Sequence, residues 1–199
     1  MKIFLLMLLC VIGGTSCNSQ NRSDLLAMKF NQPISDLIHT HRLKESQDII
    51  YGIYSYETDQ LDGFRLGEIN LSTYQYPNSA AADYNNIEVY VDNRKSQQYL
   101  GFRYNTVDQE EIKQLIEYFK KKYPTYEERK DSNGDGYFWD IGPLDAWLFY
   151  YPSTSIDGNG KSFLNSNFLF VKKGTRMENS QNTSYNTILD NFIMMYPKN

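Results

Sequence analysis

Hydrophobic positions along the chain change period twice, and each change predicts an element. From Asp108 to Tyr123, Ile112, Leu115, Ile116 and Phe119 fall at i, i+3, i+4 and i+7, the stripe of a helix that buries one side. Asp108 stands where an N-cap belongs, with Glu111 three residues on. Val107 and Ile112 suit a hydrophobic staple, Lys120 to Lys122 complement the negative end of the helix, and Pro124 stops it. A second stripe, Tyr185, Ile188, Leu189, Phe192 and Tyr196, predicts a last helix from about Ser184 to Tyr196. Near the start, Pro33 with Ser35 and Asp36 opens a short helix through about His41.

Between these helices the pattern has period two or is rich in β-branched and aromatic residues. Strands are expected at 49–56, 66–76, 87–91 and 98–104, then at 126–130, 137–141, 146–151 and 167–173. Ile87, Val89 and Val91 alternate with Glu88, Tyr90 and Asp92, which predicts a half-solvated antiparallel strand. The expectation is an α+β fold: an antiparallel β-sheet with helices packed on one face and no βαβ rhythm. Gln114 to Pro124 also aligns with Thr187 to Pro197, sharing Phe, Tyr and Pro. The chain therefore reads as two degenerate halves, each of four strands and a helix, although any two amphipathic helices with an aromatic and a Pro stop look alike.

The first seventeen residues follow other rules. One Lys precedes an unbroken apolar run from Ile3 to Ile12, and Gly13, Gly14, Thr15 and Ser16 lead to Cys17. Ten residues of helix reach about half of a ~30 Å hydrocarbon core, so the run is a secretory signal and not a membrane span. Gly14-Thr15-Ser16-Cys17 resembles the lipobox of bacterial lipoproteins, with Gly14 where that family usually carries Leu. The small residues suit an ordinary cleaved signal as well. The resemblance implies that Cys17 is acylated, palmitate included, and becomes the mature N-terminus. It divides the chain into a signal peptide (1–16), a lipidated Cys with a polar tether (17–23) and one globular domain (24–199). Asn18-Ser19-Gln20-Asn21 after the Cys implies, by the same resemblance, the periplasmic side of an outer membrane.

Composition narrows the remaining choices. The only other cysteine, Cys10, lies in the signal, so the mature chain forms no internal disulfide. Removing residues 1–17 takes one Lys and no acid from 20 bases and 24 acids, which leaves a net charge of −5. That sign and the absence of a basic aromatic motif argue against nucleic acid. Aromatic residues make up 15% of the chain, with 17 Tyr, and they concentrate on the expected strands. They suit a sheet core, and Trp139, Trp147 and Tyr150 are the candidates for an exposed ligand platform.

Several motifs hold part of a site. Asp131, Asn133 and Asp135 match the first half of a calcium loop, but its twelfth position is Gly142 where a bidentate Glu belongs, and a hairpin turn explains the same residues. Ser155 to Ser162 nearly matches a phosphate loop with Ser in place of its first Gly, and reads as another hairpin. His39 and His41 make at most half a zinc site. No nucleophile elbow and no mature Cys are present, and no cofactor motif; carboxylate pairs such as Glu127-Glu128 and Asp135-Asp140 are readable only once folded. The expected function is therefore a lipid-anchored envelope protein acting by binding, its partner another envelope component. The alternatives are a glycan-binding surface lipoprotein and an immunity-type inhibitor of a periplasmic toxin.

Overall fold

The computed structural model describes residues 22–79, 83–131 and 134–197; Cys17 and Asn133 lie outside them. Eleven strands and three helices follow the order β1 (Ser23–Asp24), α1 (Ser35–His41), β2 (Lys44–Gln47), β3 (Tyr54–Thr58), β4 (Phe64–Leu66), β5 (Ile69–Asn70), β6 (Asn86–Val91) and β7 (Tyr99–Thr106). The second part continues with α2 (Gln109–Lys122), β8 (Glu127–Asp131), β9 (Gly134–Ile141), β10 (Ala146–Ile156), β11 (Ser162–Lys172) and α3 (Ile188–Met195). Eight strands form one antiparallel sheet in the order β2-β3-β6-β7-β11-β10-β9-β8, and β1, β4 and β5 make a small separate one. The class is α+β, as the patterning implied.

Alternate residues of the central strands feed two separate cores. Phe102 and Tyr104 of β7, Leu148 and Tyr150 of β10, and Phe168 and Phe170 of β11 meet Ile112, Leu115 and Phe119 of α2 on the first face, beside the amino-terminal segment with Leu25 and Ile34. Phe149 and Tyr151 of β10 and Leu169 and Val171 of β11 meet Ile188 and Phe192 of α3 and Tyr196 at its end on the second face. The helices therefore lie on opposite faces, which corrects the expectation that both share one. The reason is in β9 to β11, whose central residues are apolar on both sides of the pleat and so require a cover on each.

That arrangement also bears on the two halves. Four strands of the large sheet precede α2 and four precede α3, and β7 meets β11 at the centre. A twofold axis that exchanges two antiparallel neighbours runs perpendicular to the sheet and preserves its faces. It would carry α2 onto the side of α3 only if both helices shared a face. The strands are pseudosymmetric; the helices are not.

The capping of α2 is half as expected. Asp108 accepts from the amides of Glu110 and Glu111, but Glu111 does not return to the cap. It turns inward, where its Oε2 accepts from the Tyr104 hydroxyl at 2.6 Å and from Asn85 at 3.1 Å. In α3 the reciprocal box is complete between Thr187 and Asp190, so the helix begins at Ile188 and not near Ser184.

Ile49 to Tyr56 is not one strand. Asp48 Oδ1 accepts from the amides of Ile50 (2.8 Å) and Tyr51 (2.6 Å), and Gly52 takes φ +67°, so the chain turns and leaves Ile49 93% exposed. Likewise 66–76 is mostly irregular, with only β5 between the end of β4 and Tyr76.

Both edges of the large sheet are polar. β2 reads Lys-Glu-Ser-Gln, and β8 is five charged residues in a row, with ion pairs from Arg129 to Glu127 and from Lys130 to Asp135.

Candidate functional site

Trp139, Trp147 and Tyr150 are not brought together. Trp139 is wholly buried on the first face, its Nε1 donating to the Tyr123 carbonyl at 3.0 Å, and Tyr150 is buried in the same core. Trp147 is half-buried on the second face. Their strand positions, odd and even, separate them by the pleat, so they form the two cores and no common platform.

The remaining sequence candidates fall in place as turns and surface groups. β8 and β9 pair antiparallel as far as Asp131 opposite Gly134, as a hairpin requires, and Asp135 pairs with Lys130 at 3.5 Å. Asp140 pairs instead with Lys173. Asp157 Oδ1 accepts from the amides of Asn159 and Lys161, closing the β10–β11 hairpin at the stretch that nearly matches a phosphate loop. His39 is exposed and His41 is held by Ser23. Among the described residues no three His, Cys, Asp or Glu gather to hold a metal, and no helix is long and apolar enough to cross a membrane.

A buried ionic cluster lies on the second face. Arg103 of β7 pairs with Glu88 of β6 and with Asp48 at 3.3 Å, and Asp48 also accepts the Tyr90 hydroxyl at 2.5 Å. Burial pushes the Glu88 carboxyl up, against the pull of Arg103, and pushes the Tyr90 phenol well above its ordinary value. Glu88 and Tyr90 were expected at the solvent-facing positions of β6, yet both are buried. Here the alternation separates an apolar core from a buried charge network. With the Asp48 side chain and Tyr90 fully buried, this cluster fastens the turn at 48–53 to the sheet and takes no part in a surface site.

An apolar cleft of about 650 Å³ is the strongest candidate. Three separate segments build it. Leu26 and Ala27 supply one wall, Tyr123 to Thr125 after α2 supply the floor, and Ile141, Pro143 and Leu144 close it from the turn between β9 and β10. Its size and lining are those of small-molecule sites.

Three charged groups stand at its rim. Asp24 Oδ1 accepts from the amides of Leu26 and Gly67, its other oxygen lies 3.8 Å from Arg65, and Asp140 is held by Lys173. Among the described residues Lys122 has no carboxylate within ion-pair distance; its ammonium donates to the Tyr118 hydroxyl at 2.7 Å. Burial pulls this ammonium down, but Tyr118, Tyr123 and Asp24 outweigh it and hold it above its ordinary value, so it stays charged. The cleft thus offers an apolar body site beside one cation that forms no direct ion pair among the described residues. Of its residues, the sequence patterning marks only the helix end at Lys122 and the stop at Pro124; no spacing rule links positions 26, 122 and 144.

No protein-family model matches the chain, and no curated protein or solved structure matches it.

Proposed function

We propose that the protein is a lipid-anchored binding module of the cell envelope, fixed by an acylated Cys17, and that its ligand is a small amphiphile with an apolar body and an anionic end. The observation that carries this reading is the apolar cleft with Lys122 at its rim. An apolar tail against Leu26, Ile141 and Leu144 gains about 25 cal/mol for each Å² it removes from water. A carboxylate or phosphate at the rim gains a charge-assisted hydrogen bond from Lys122.

The tether supports the same reading. Asp24, which lines the cleft, is seven residues from Cys17, and an extended chain of that length spans about 25 Å. Two or more acyl chains on Cys17 would keep the cleft at that distance from a bilayer surface, where amphiphiles concentrate.

Two measurements test this. Palmitate labelling in the native host is expected for the wild type and absent from Cys17→Ala; label retained on the variant defeats the anchor. Titration with dodecanoate is expected to raise the unfolding temperature, as a ligand of the folded state must. Leu144→Asp should abolish that rise, and Lys122→Met should reduce it for dodecanoate but not for its methyl ester. A rise untouched by Leu144→Asp, or no rise at all, overturns the cleft as the site.

A further inference from the structure

A second concavity, of about 550 Å³, opens at the other end of the sheet, where α1, β2, β3 and the entry to β6 converge. It shares no lining residue with the apolar cleft and stands on separate observations. One wall is built around His41. Its Nε2 lies 2.9 Å from Ser23 Oγ, its ring packs 4.2 Å from that of Phe64, and Gly63 leaves no room for a Cβ, which would lie 2.6 Å from the imidazole. Burial holds the His41 pKa below its ordinary value, so this wall is neutral at pH 7. Arg42 follows in the left-handed conformation, φ 52°, and turns the chain from α1 toward β2.

The charges around the opening are of both signs and form no ion pair among the described residues, Lys44 of β2 standing opposite Glu57 of β3 in the ladder. Arg42 and Lys44 have no carboxylate within 4 Å among the described residues. Among the described residues the Glu57 carboxylate accepts from the Ser46 hydroxyl at 3.2 Å and the Asp59 carboxylate from the Gln60 side-chain amide at 3.1 Å, both neutral donors. Tyr84 lines the same space and is 46% exposed.

We propose that this cleft binds a neutral saccharide. A phosphate or carboxylate ligand would meet Glu57 and Asp59, and a simple amine would meet Arg42 and Lys44. A polyol accepts from the two cations and donates to the two carboxylates with no net charge to place, and hydrogen bonds to charged groups are the stronger kind. The exposed ring of Tyr84 offers a flat apolar surface for the C–H face of a pyranose. The surface aromatic for such a ligand is therefore Tyr84, on neither tryptophan-bearing strand.

Calorimetric titration of the full chain with maltotriose, cellotriose and chitotriose tests this, with glucose 6-phosphate and glycylglycine as charged controls. At least one trisaccharide is expected to bind, and to bind more tightly than either control. Tyr84→Ala should weaken it roughly three- to tenfold, the range of an aromatic contact, and Arg42→Ala and Asp59→Asn should each weaken it also. Lys122→Met should leave it unchanged, which separates this site from the amphiphile cleft. All these side chains are at the surface, and unfolding midpoints matching the wild type will show that the variants fold. Absence of heat with all three trisaccharides, tighter binding of a charged control, or affinity indifferent to Tyr84→Ala and Arg42→Ala overturns the proposal.

Discussion

Tyr104, on β7, donates its hydroxyl to the Glu111 carboxylate at 2.6 Å from beneath the helix that carries that acid. The bond joins α2 to the sheet at a point where both partners are buried. Tyr104→Phe removes the donor and keeps the ring, leaving a buried carboxylate short of a partner. The expected loss is about 1–3 kcal/mol of stability, measured by urea denaturation. A loss below about 0.5 kcal/mol would mean that Asn85, Thr106 and Ser72 satisfy Glu111 between them.

The same acid gives a pH dependence. Burial pushes the Glu111 pKa up, against the hydrogen bond from Tyr104. A carboxyl whose folded pKa lies above its unfolded value binds its proton more tightly when folded, so its contribution is complete below the unfolded value of 4.5 and is lost as pH rises through the folded one. Glu88 acts with the same sign. Stability measured from pH 4.5 to 7.5 should fall less steeply in Glu111→Gln than in the wild type; identical slopes would show that Glu111 titrates alike in both states.

Arg103 is the only cation paired with Asp48 and Glu88 among the described residues. Arg103→Met leaves two carboxylates without a countercharge in a buried site, a change that costs about 3–5 kcal/mol. Because Asp48 also holds the turn at 48–53, hydrogen exchange at Ile50 and Tyr51 should accelerate with it. Unchanged protection there would separate the turn from the ion pairs.

Gly101 sits opposite Val171 with φ +147°, and a Cβ added there runs into the Phe170 carbonyl. Gly101→Ala should destabilise by about 3 kcal/mol, combining backbone strain with overpacking. Gly160 also has a positive φ, +78°, but open space around it, so Gly160→Ala should cost about 1 kcal/mol. Thermal unfolding of the two variants side by side checks the difference; equal costs would place the whole effect in φ.

What the sequence made legible is local. The cap at Asp108, the stripe to Phe119 and the stop at Pro124 are all short-range signals, and α2 follows them. The turn at Asp157 is equally local. What escaped was decided at long range. Glu88 and Tyr90 look solvent-facing in a period-two strand, and only the turn that places Asp48 and Tyr51 above them makes that face interior. Ile49 looks like a core residue until Asp48 bends its amide neighbours away from the sheet. Both concavities are assembled from residues as far apart as Leu26 and Leu144, or Arg42 and Tyr84, which meet through strand order and not through spacing.

The charged outer strands have a last consequence. Were Cys17 acylated as proposed, the molecule would diffuse in two dimensions, where collisions with its own kind are frequent and lateral. An arriving backbone would have to accommodate five consecutive charged residues along β8, of both signs, before forming a single ladder bond. Neighbours can therefore jostle without zippering into fibrils, and both concavities stay open in a crowd.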